Sequence, residues 1–181
     1  MMRMGPYGRP ARPNPTTPPD AAPRHIADCL RPESIHIDVP LRDQVHAFEF
    51  MAHAIATRHG LEPGPVLRAL WRREQAGSTG LGAGFAIPHA RIAGIDRPLT
   101  LLLRARRPIE FKAIDREPVW LMLAILVPGH GDRADHLALL ALVAELFSDP
   151  QLRARIDTGA TPAAVDQAFR DGLARLQGTK R

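Results

Sequence analysis

The longest apolar segment of the chain, residues 119–127, restricts the possible fold more than any other part of the sequence. Its nine residues, VWLMLAILV, include no charged side chain. A strand with one face in water alternates apolar and polar residues, whereas a continuously apolar strand needs cover on both faces. A membrane-spanning helix would need about 18 or more apolar residues in succession. The segment therefore predicts a central strand with helices on both faces of its sheet, and no insertion into a membrane.

Helices and shorter strands are interspersed along the rest of the chain. Apolar residues recur at helical spacing in some segments and in short continuous runs in others. The predicted helices are residues 42–59 (ended by Gly60), 65–76, 133–147 (ended by Pro150) and one that begins at Thr161 and Pro162; the predicted strands are residues 85–87, 99–104 and 119–127. We therefore expect an α/β fold, with a mixed β-sheet flanked by helices in a single domain.

Composition divides the chain into three parts. Residues 1–24 contain seven prolines and almost no large apolar side chain. Such a segment cannot bury enough surface to offset the entropy lost on ordering, so we predict a disordered Pro/Arg-rich tail. Residues 25–175 contain no internal repeat and no second linker, which predicts one domain. Residues 176–181 are expected to form a frayed C-terminus.

The charge and cysteine content favour a cytoplasmic protein with no nucleic-acid partner. The formal net charge is +5, but residues 1–24 hold four arginines and one aspartate, so the remainder carries only about +2. Aromatic residues do not alternate with basic ones, as they do on surfaces that bind single strands. Cys29 is the only cysteine, which fits a reducing compartment. The N-terminus lacks the apolar core of a signal peptide.

One segment combines a nucleophile with groups that can bind an anion. Pro88 has no N–H to give to a sheet, so we expect the chain to leave the sheet there and to present His89 at a sheet edge or strand end instead of packing inside. The pKa of imidazole is ordinarily near ~6.5, so its neutral, nucleophilic form is available at neutral pH. Ser78 and Thr79 offer hydroxyls among glycines whose backbone N–H groups can converge on an anion. Arg73 adds a permanently charged, forked donor.

The same segment resembles a known signature. The run REQAGSTGLGAGFAIPHA, residues 73–90, is similar to the active-site sequence of enzyme IIA domains of the phosphotransferase system, in the fructose/mannitol class. The resemblance covers most of residues 25–170, including PIEFKAID, LAILVPG and DHLALLALVAELFSD, and is closest to the nitrogen-regulatory type. Phe85 stands where the signature usually has an aliphatic residue, which should alter packing more than chemistry.

This resemblance implies a phosphohistidine site. It implies that His89 accepts a phosphoryl group from a phosphohistidine carrier protein, HPr or its nitrogen-branch counterpart. It also implies that His136 lies beside His89 and supports it, and that Arg73 helps to hold the phosphoryl group. Ser78 and Thr79 are further candidate phosphate contacts, with turn stabilisation as the competing role. Positioning and charge stabilisation dominate such transfers, so we expect no cofactor and no metal.

Other basic residues have no comparable support. A basic cluster could face an acidic partner, although a solvated face is the default interpretation; it consists of Arg104, Arg106, Arg107 and Lys112. The remaining histidines are expected to be structural, because spacing alone does not make a metal site; they are His25, His36, His46, His53, His59 and His130.

The resemblance leaves the role within the family open. One hypothesis is a regulator that binds target proteins according to its phosphorylation state, and the other is a relay that passes the phosphoryl group to an enzyme IIB for sugar uptake. The chain includes neither a transmembrane span nor a IIB domain, which favours regulation. A more remote alternative is a binding module whose His89 is never phosphorylated. The regulatory target, the oligomeric state and the role of the tail are not determined by the sequence.

Overall fold

Residues 119–127 lie at the centre of a six-stranded sheet, as their apolar sequence predicts. The computed structural model describes residues 30–179, so the predicted tail, residues 1–24, lies outside the described residues. The strands are β1 (Ile35–Val39), β2 (Gly80–Gly82), β3 (Phe85–Ala86), β4 (His89–Ile92), β5 (Leu99–Ile109) and β6 (Val119–Pro128), and the helices are α1 (Gln44–His59), α2 (Pro63–Gln75), α3 (Arg133–Ser148), α4 (Pro150–Thr158) and α5 (Pro162–Thr179).

The sheet is mixed. Strand β6 pairs antiparallel with β5 on one side and parallel with both β3 and β4 on the other. Strand β1 adds to β5 in parallel, and β2 pairs antiparallel with β3. The side chains of residues 121–126 in β6 are completely buried. The prediction of a mixed sheet with a fully covered central strand is therefore confirmed.

Two apolar layers cover the sheet because successive side chains of its strands point to opposite faces. In β5, Leu101 and Leu103 pack with the buried faces of α1 and α2, whereas Leu102 packs on the other side with α3, α4 and α5. Most of this core is aliphatic, and its largest fully buried side chains include four phenylalanines. Within residues 30–179, no helix is long and apolar enough to cross a membrane.

Helix ends follow the sequence signals closely. Helix α1 begins after Asp43, whose carboxylate accepts a hydrogen bond from the backbone N–H of His46 at 2.8 Å. It ends at Gly60, which adopts a left-handed backbone with φ of 66°. The hydroxyl of Thr161 accepts from the N–H of Ala164 at 3.2 Å, which makes it the predicted N-cap of α5.

Four of the elements that the structure describes, β1, β2, β4 and α4, were not predicted from the sequence. Strand β1 alternates apolar and polar residues, but over only five positions, and β2 and β4 have only three and four residues, so none of these runs is long enough to stand out in the sequence. Helix α4 begins at Pro150, which was expected only to end the preceding helix. Proline fits the first turn of a helix because its missing N–H would have no partner there. Helix α5 continues through residues 176–179, part of the expected frayed end, and residues 180–181 lie outside the described part.

Arg104 is buried and tied to the fold, which corrects its expected place on a solvated basic face. It lies on β5, and its side chain is only 8% exposed. One guanidinium nitrogen, Nη1, donates to three carbonyls at the C-terminal end of α4, and Nη2 lies 3.1 Å from the carboxylate of Asp38. The three carbonyl acceptors belong to Ile156 (2.6 Å), Asp157 (2.8 Å) and Gly159 (2.8 Å). Arg104 therefore satisfies helix-end carbonyls that would otherwise have no donor.

Candidate active site around His89

His89 lies where the sheet meets both helix layers. It is the first residue of β4, so it stands at a strand end as predicted, but it is only 8% exposed, and the expectation that it does not pack inside is wrong. The expectation that the chain leaves the sheet at Pro88 is wrong, because parallel pairing with β6 continues at His89, opposite Ile125. Proline lacks only the N–H; the carbonyl of Pro88 still accepts a hydrogen bond from the N–H of Ile125 at 2.9 Å. Pro88 therefore separates two short strands that share one neighbour.

The hydrogen bonds of His89 define the state of its ring. Nδ1 lies 2.7 Å from the carbonyl oxygen of Ile87, which can only accept, so Nδ1 carries the proton. Nε2 accepts a hydrogen bond from Nε of Arg73 at 2.9 Å. The neutral ring thus keeps its lone pair on Nε2, and this atom is its nucleophilic nitrogen.

Burial lowers the pKa of His89 to about 4. Burial acts first because it penalises the charged imidazolium. The hydrogen bond to Ile87 opposes this effect, while the positive charges of Arg73 and of protonated His136 add to it. At neutral pH the ring of His89 is therefore uncharged, with a lone pair of the kind that a nucleophile needs.

An NMR titration of the unphosphorylated protein tests this protonation state. We expect the ring resonances of His89 to titrate near pH 4, well below the ordinary value of about 6.5. A midpoint near 6.5 would show that burial does not control the protonation of this ring.

The same shift makes the protein less stable in acid. As the pH falls below about 6.5, the unfolded chain binds a proton at His89 before the folded chain does, so stability is lost between pH 6.5 and 4. Urea unfolding at pH 7 and pH 5 should show a smaller loss in His89→Gln, which cannot bind that proton.

A second cluster fixes the orientation of Arg73. Its Nη1 donates to the carbonyl of Gly77 at 2.8 Å, which holds the guanidinium beside His89 at the end of α2. Glu74, which is buried, accepts from both the backbone N–H (3.0 Å) and the hydroxyl (2.6 Å) of Thr79. Its other oxygen accepts from Nε2 of Gln44 at 2.9 Å. This clamp fixes the turn that includes Gly77, and so it fixes the acceptor that orients Arg73.

Glu74 and Gln44 are functional candidates that the sequence analysis missed. The sequence assigned no role to Glu74 beyond its place in the run REQ. In the structure Glu74 is only 8% exposed, and a buried carboxylate needs hydrogen-bond partners. The signal that could have identified it was a carboxylate five residues before a hydroxyl, across a glycine-containing turn. No sequence pattern indicated Gln44, because it comes from a different helix.

His136 lies beside His89, as the resemblance implies. The two rings meet edge to face with centroids 5.4 Å apart. Burial lowers the pKa of His136, and the charges of Arg91 and Arg73 lower it further. Its buried Nε2 has no hydrogen-bond partner among the residues that the structure describes. A ring nitrogen without a partner is available to a group bound at His89.

Ser78 and Thr79 have other partners in this structure. The hydroxyl of Thr79 donates to Glu74, and the hydroxyl of Ser78 donates to the carbonyl of Phe111 at 3.3 Å. Neither residue lines the cleft at His89. The geometry therefore supports the turn-stabilising role, and phosphate contact by these hydroxyls stays a prediction.

The glycines of this segment serve a tight hairpin. A Cβ built on Gly84, whose φ is +77°, would lie 2.3 Å from a ring carbon of Trp120. No side chain fits at that position, and the positive φ adds strain for any other residue. The absence of a side chain at Gly84 therefore allows β3 to pair closely with β6, just before the segment that includes His89.

His89 opens onto a cleft of about 670 Å³ between α2, β4 and α3. Its lining contains both histidines, four arginines and several apolar residues, and no acidic side chain. The arginines are Arg72, Arg73, Arg91 and Arg133, and the apolar residues are Ala69, Ala90, Leu137 and Leu140. Such a cleft suits a doubly charged anion at its base. Within the described range, no group of three or more His, Cys, Asp or Glu residues is arranged to hold a metal ion.

Comparison with known proteins agrees with this geometry. Residues 28–172 match the family model described as "Phosphoenolpyruvate-dependent sugar phosphotransferase system, EIIA 2". A nitrogen regulatory protein of Bradyrhizobium diazoefficiens is 31% identical over 77% of this chain and 91% of its own length. A fructose-specific EIIA component of Haloferax volcanii is 30% identical over 80% of this chain and 91% of its own length.

A solved structure extends the agreement to the fold. The crystal structure of the nitrogen regulatory protein IIA-Ntr from Neisseria meningitidis superposes with a TM-score of 0.75 at 32% identity, covering 80% of this chain and 98% of that one. The sheet, the cleft and the matched residues lead to one assignment. The chain belongs to the EIIA type 2 family of the phosphoenolpyruvate-dependent phosphotransferase system.

Proposed function

We propose that this protein is a cytoplasmic phosphoryl carrier of the nitrogen-regulatory kind. In this proposal, Nε2 of His89 accepts a phosphoryl group from the phosphohistidine of an HPr-like carrier, and the two phosphorylation states bind different target proteins. The observation that carries the proposal is the ring state of His89, whose Nδ1–H is held by Ile87 while Nε2 keeps its lone pair in a cleft lined by four arginines.

The transfer needs no proton movement at His89. The P–N bond of the carrier breaks as the bond from phosphorus to Nε2 forms, and the carrier's nitrogen regains the electron pair. Nδ1 keeps its proton throughout, donated to the carbonyl of Ile87. Charge in the transition state spreads over the equatorial oxygens, so the surrounding donors act by position and charge.

Arg73 changes partner during this step. In the unphosphorylated protein its Nε–H occupies the lone pair of Nε2, so this hydrogen bond must break before attack. The guanidinium can then donate to two phosphoryl oxygens, which is the geometry that arginine favours. Its Nη1 can keep the hydrogen bond to the carbonyl of Gly77 while Nε and Nη2 donate to the phosphoryl oxygens.

His136 supplies a further donor. Its Nε2 is buried and has no partner within residues 30–179. With the proton on Nε2, it would donate to a phosphoryl oxygen on His89, whose ring lies 5.4 Å away between centroids. A buried donor that gains a partner stabilises the phosphorylated state.

Regulation follows from the charge added at His89. A phosphoryl group adds about −1.5 to −2 charge, at the base of a cleft whose lining has no acidic side chain. That change neutralises much of the cleft's positive field, which alters the partners it can bind. The names of the nitrogen regulatory relatives support this role.

The second candidate function is the sugar relay to an enzyme IIB. The observation that favours it is the fructose-specific EIIA component of Haloferax volcanii, which is nearly as similar to this chain as the nitrogen regulatory relative. Both roles share the phosphorylation of His89, and they differ in what happens next.

One experiment tests the shared step and separates the two roles. The full chain is incubated with labelled phosphoenolpyruvate, enzyme I and an HPr-like carrier, and the label is mapped by mass spectrometry and by nitrogen NMR. We expect an acid-labile, base-stable phosphoryl group on Nε2 of His89. The isolated phosphoprotein is then mixed with a fructose-class enzyme IIB. Retention of the label supports regulation, rapid loss to IIB supports the relay, and absence of any label on the chain refutes both.

A further inference from the structure

A second concave surface of the domain lies apart from His89. This groove has a volume of about 1010 Å³ and is lined by α1, β1, the turn before β1 and the start of β5. None of its lining residues belongs to the cleft at His89. Sites for small organic molecules commonly measure about 300–1,000 Å³. The groove is therefore large enough for such a molecule, and a role for it would be additional to phosphoryl transfer.

The groove has a carboxylate with no opposing charge, in contrast to the arginine-lined cleft. The guanidinium of Arg58 lies 3.4 Å from the carboxylate of Glu33, so these two charges offset each other. The carboxylate of Glu49, which is half-buried on α1, forms no ion pair or hydrogen bond with any residue between 30 and 179. Burial lowers the pKa of His36 and of His59, and the positive charge of Arg58 lowers both further. Both rings are therefore neutral at neutral pH and leave the charge of Glu49 unopposed.

Other groups of the lining can accept hydrogen bonds or contact a cation. Nδ1 of His46 and Oγ1 of Thr100 are buried and have no hydrogen-bond partner in the described part of the chain. An imidazole nitrogen and a hydroxyl oxygen can each accept from an N–H donor. Phe50 adds a half-buried aromatic ring, which packs edge to face with His36 at 5.2 Å between centroids. Because aromatic faces attract cations, the lining favours a ligand that is positively charged and rich in N–H groups.

We propose that this groove, here called the α1 groove, binds a small organic cation that carries ammonium or guanidinium groups. One such group would pair with Glu49, and the ligand would lie against the ring of Phe50. A metal ion fits less well, because no three side chains of the metal-binding types are arranged around one point within residues 30–179. The volume of the groove also leaves room for an alkyl chain between two charged groups.

Glu110 provides a matched control for Glu49. It is exposed, follows β5 directly and lines neither the α1 groove nor the cleft. Glu49→Gln and Glu110→Gln remove the same charge, so an effect of the protein's net charge on binding would appear in both variants. Glutamine keeps the shape of the side chain, so both variants should fold, and thermal unfolding checks that they do.

The test is a titration of the full, unphosphorylated chain with 1,4-diaminobutane, followed by nitrogen–proton NMR. We expect saturable shifts confined to α1 and to the adjoining residues of β1 and β5. As the neutral analogue of the same chain length, 1,4-butanediol should produce no saturable shift. In Glu49→Gln the dissociation constant for the diamine should rise about tenfold or more, since a hydrogen bond to a charged group is commonly worth that factor. Glu110→Gln should keep the native dissociation constant.

Several results would overturn the proposal. They are an absence of saturation below about 10 mM diamine, equal binding of the diol, and an equal loss of affinity in the two glutamine variants. Saturable shifts centred on the cleft at His89 would also overturn it. Each of these results would leave the phosphorylation of His89 untouched, because the α1 groove and the cleft share no residue.

Discussion

Replacing His89 by alanine is expected to abolish phosphorylation by an HPr-like carrier. The expected acceptor is Nε2, and its lone pair, its neutral state and its access to the cleft belong to this one side chain. His136 lines the same cleft, but in the proposed role its Nε2 donates to the phosphoryl group and does not attack it. Labelling from phosphoenolpyruvate through enzyme I and the carrier measures the loss.

A histidine outside the cleft provides the control for this experiment. His130 is exposed, lies between β6 and α3 and does not line the cleft. His130→Ala should therefore be labelled at the native rate. Label that persists in His89→Ala would show that the acceptor was assigned to the wrong residue, with His136 the next candidate.

Replacing Arg73 by alanine is expected to slow phosphoryl transfer about 100-fold or more, since a single well-placed donor to a charged transition state is commonly worth that factor. The loss should lie in the transfer rate measured in a single turnover with saturating carrier. Arg73→Lys should recover only part of it, because an ammonium group cannot bond two oxygens in the arginine geometry.

The same variant has a second readout that does not depend on turnover. The charge of Arg73 lowers the pKa of His89, so Arg73→Ala should raise the midpoint of the His89 titration. Arg68→Ala is the control, because Arg68 is exposed on the same helix and does not line the cleft. A native transfer rate in Arg73→Ala would show that Arg73 only stabilises the resting ring.

Sequence patterns predicted the layers of this fold better than the details of the site. Residues 119–127 required cover on both faces, and that requirement alone led to the central strand and its two helix layers. Strand β4 was missed because Pro88 was taken to end the pairing, whereas a single missing N–H interrupts a parallel ladder without ending it.

In the candidate site, too, the sequence predicted local features and missed contacts between distant segments. The motif around His89 could be identified because its residues are close in sequence, and the position of His136 followed from the family resemblance. The bond from Glu74 to Gln44, and the partners of Ser78 and Thr79, depend on which segments meet in space. Periodicity reports which face of an element is buried, and it does not report which polar side chains find each other across elements.

The hydrogen bonds of Arg104 determine which elements of the domain unfold together. Its guanidinium joins the last turn of α4 to β5 and, through Asp38, to β1. Opening α4 alone would remove the three carbonyl acceptors of Nη1 and leave the guanidinium with Asp38, and losing a partner of a buried charge commonly costs about 3–5 kcal/mol. Native-state hydrogen exchange should therefore report α4 and β1 opening together, as one cooperative unit, although Asp38 and Asp149, the cap that starts α4, lie far apart in the sequence.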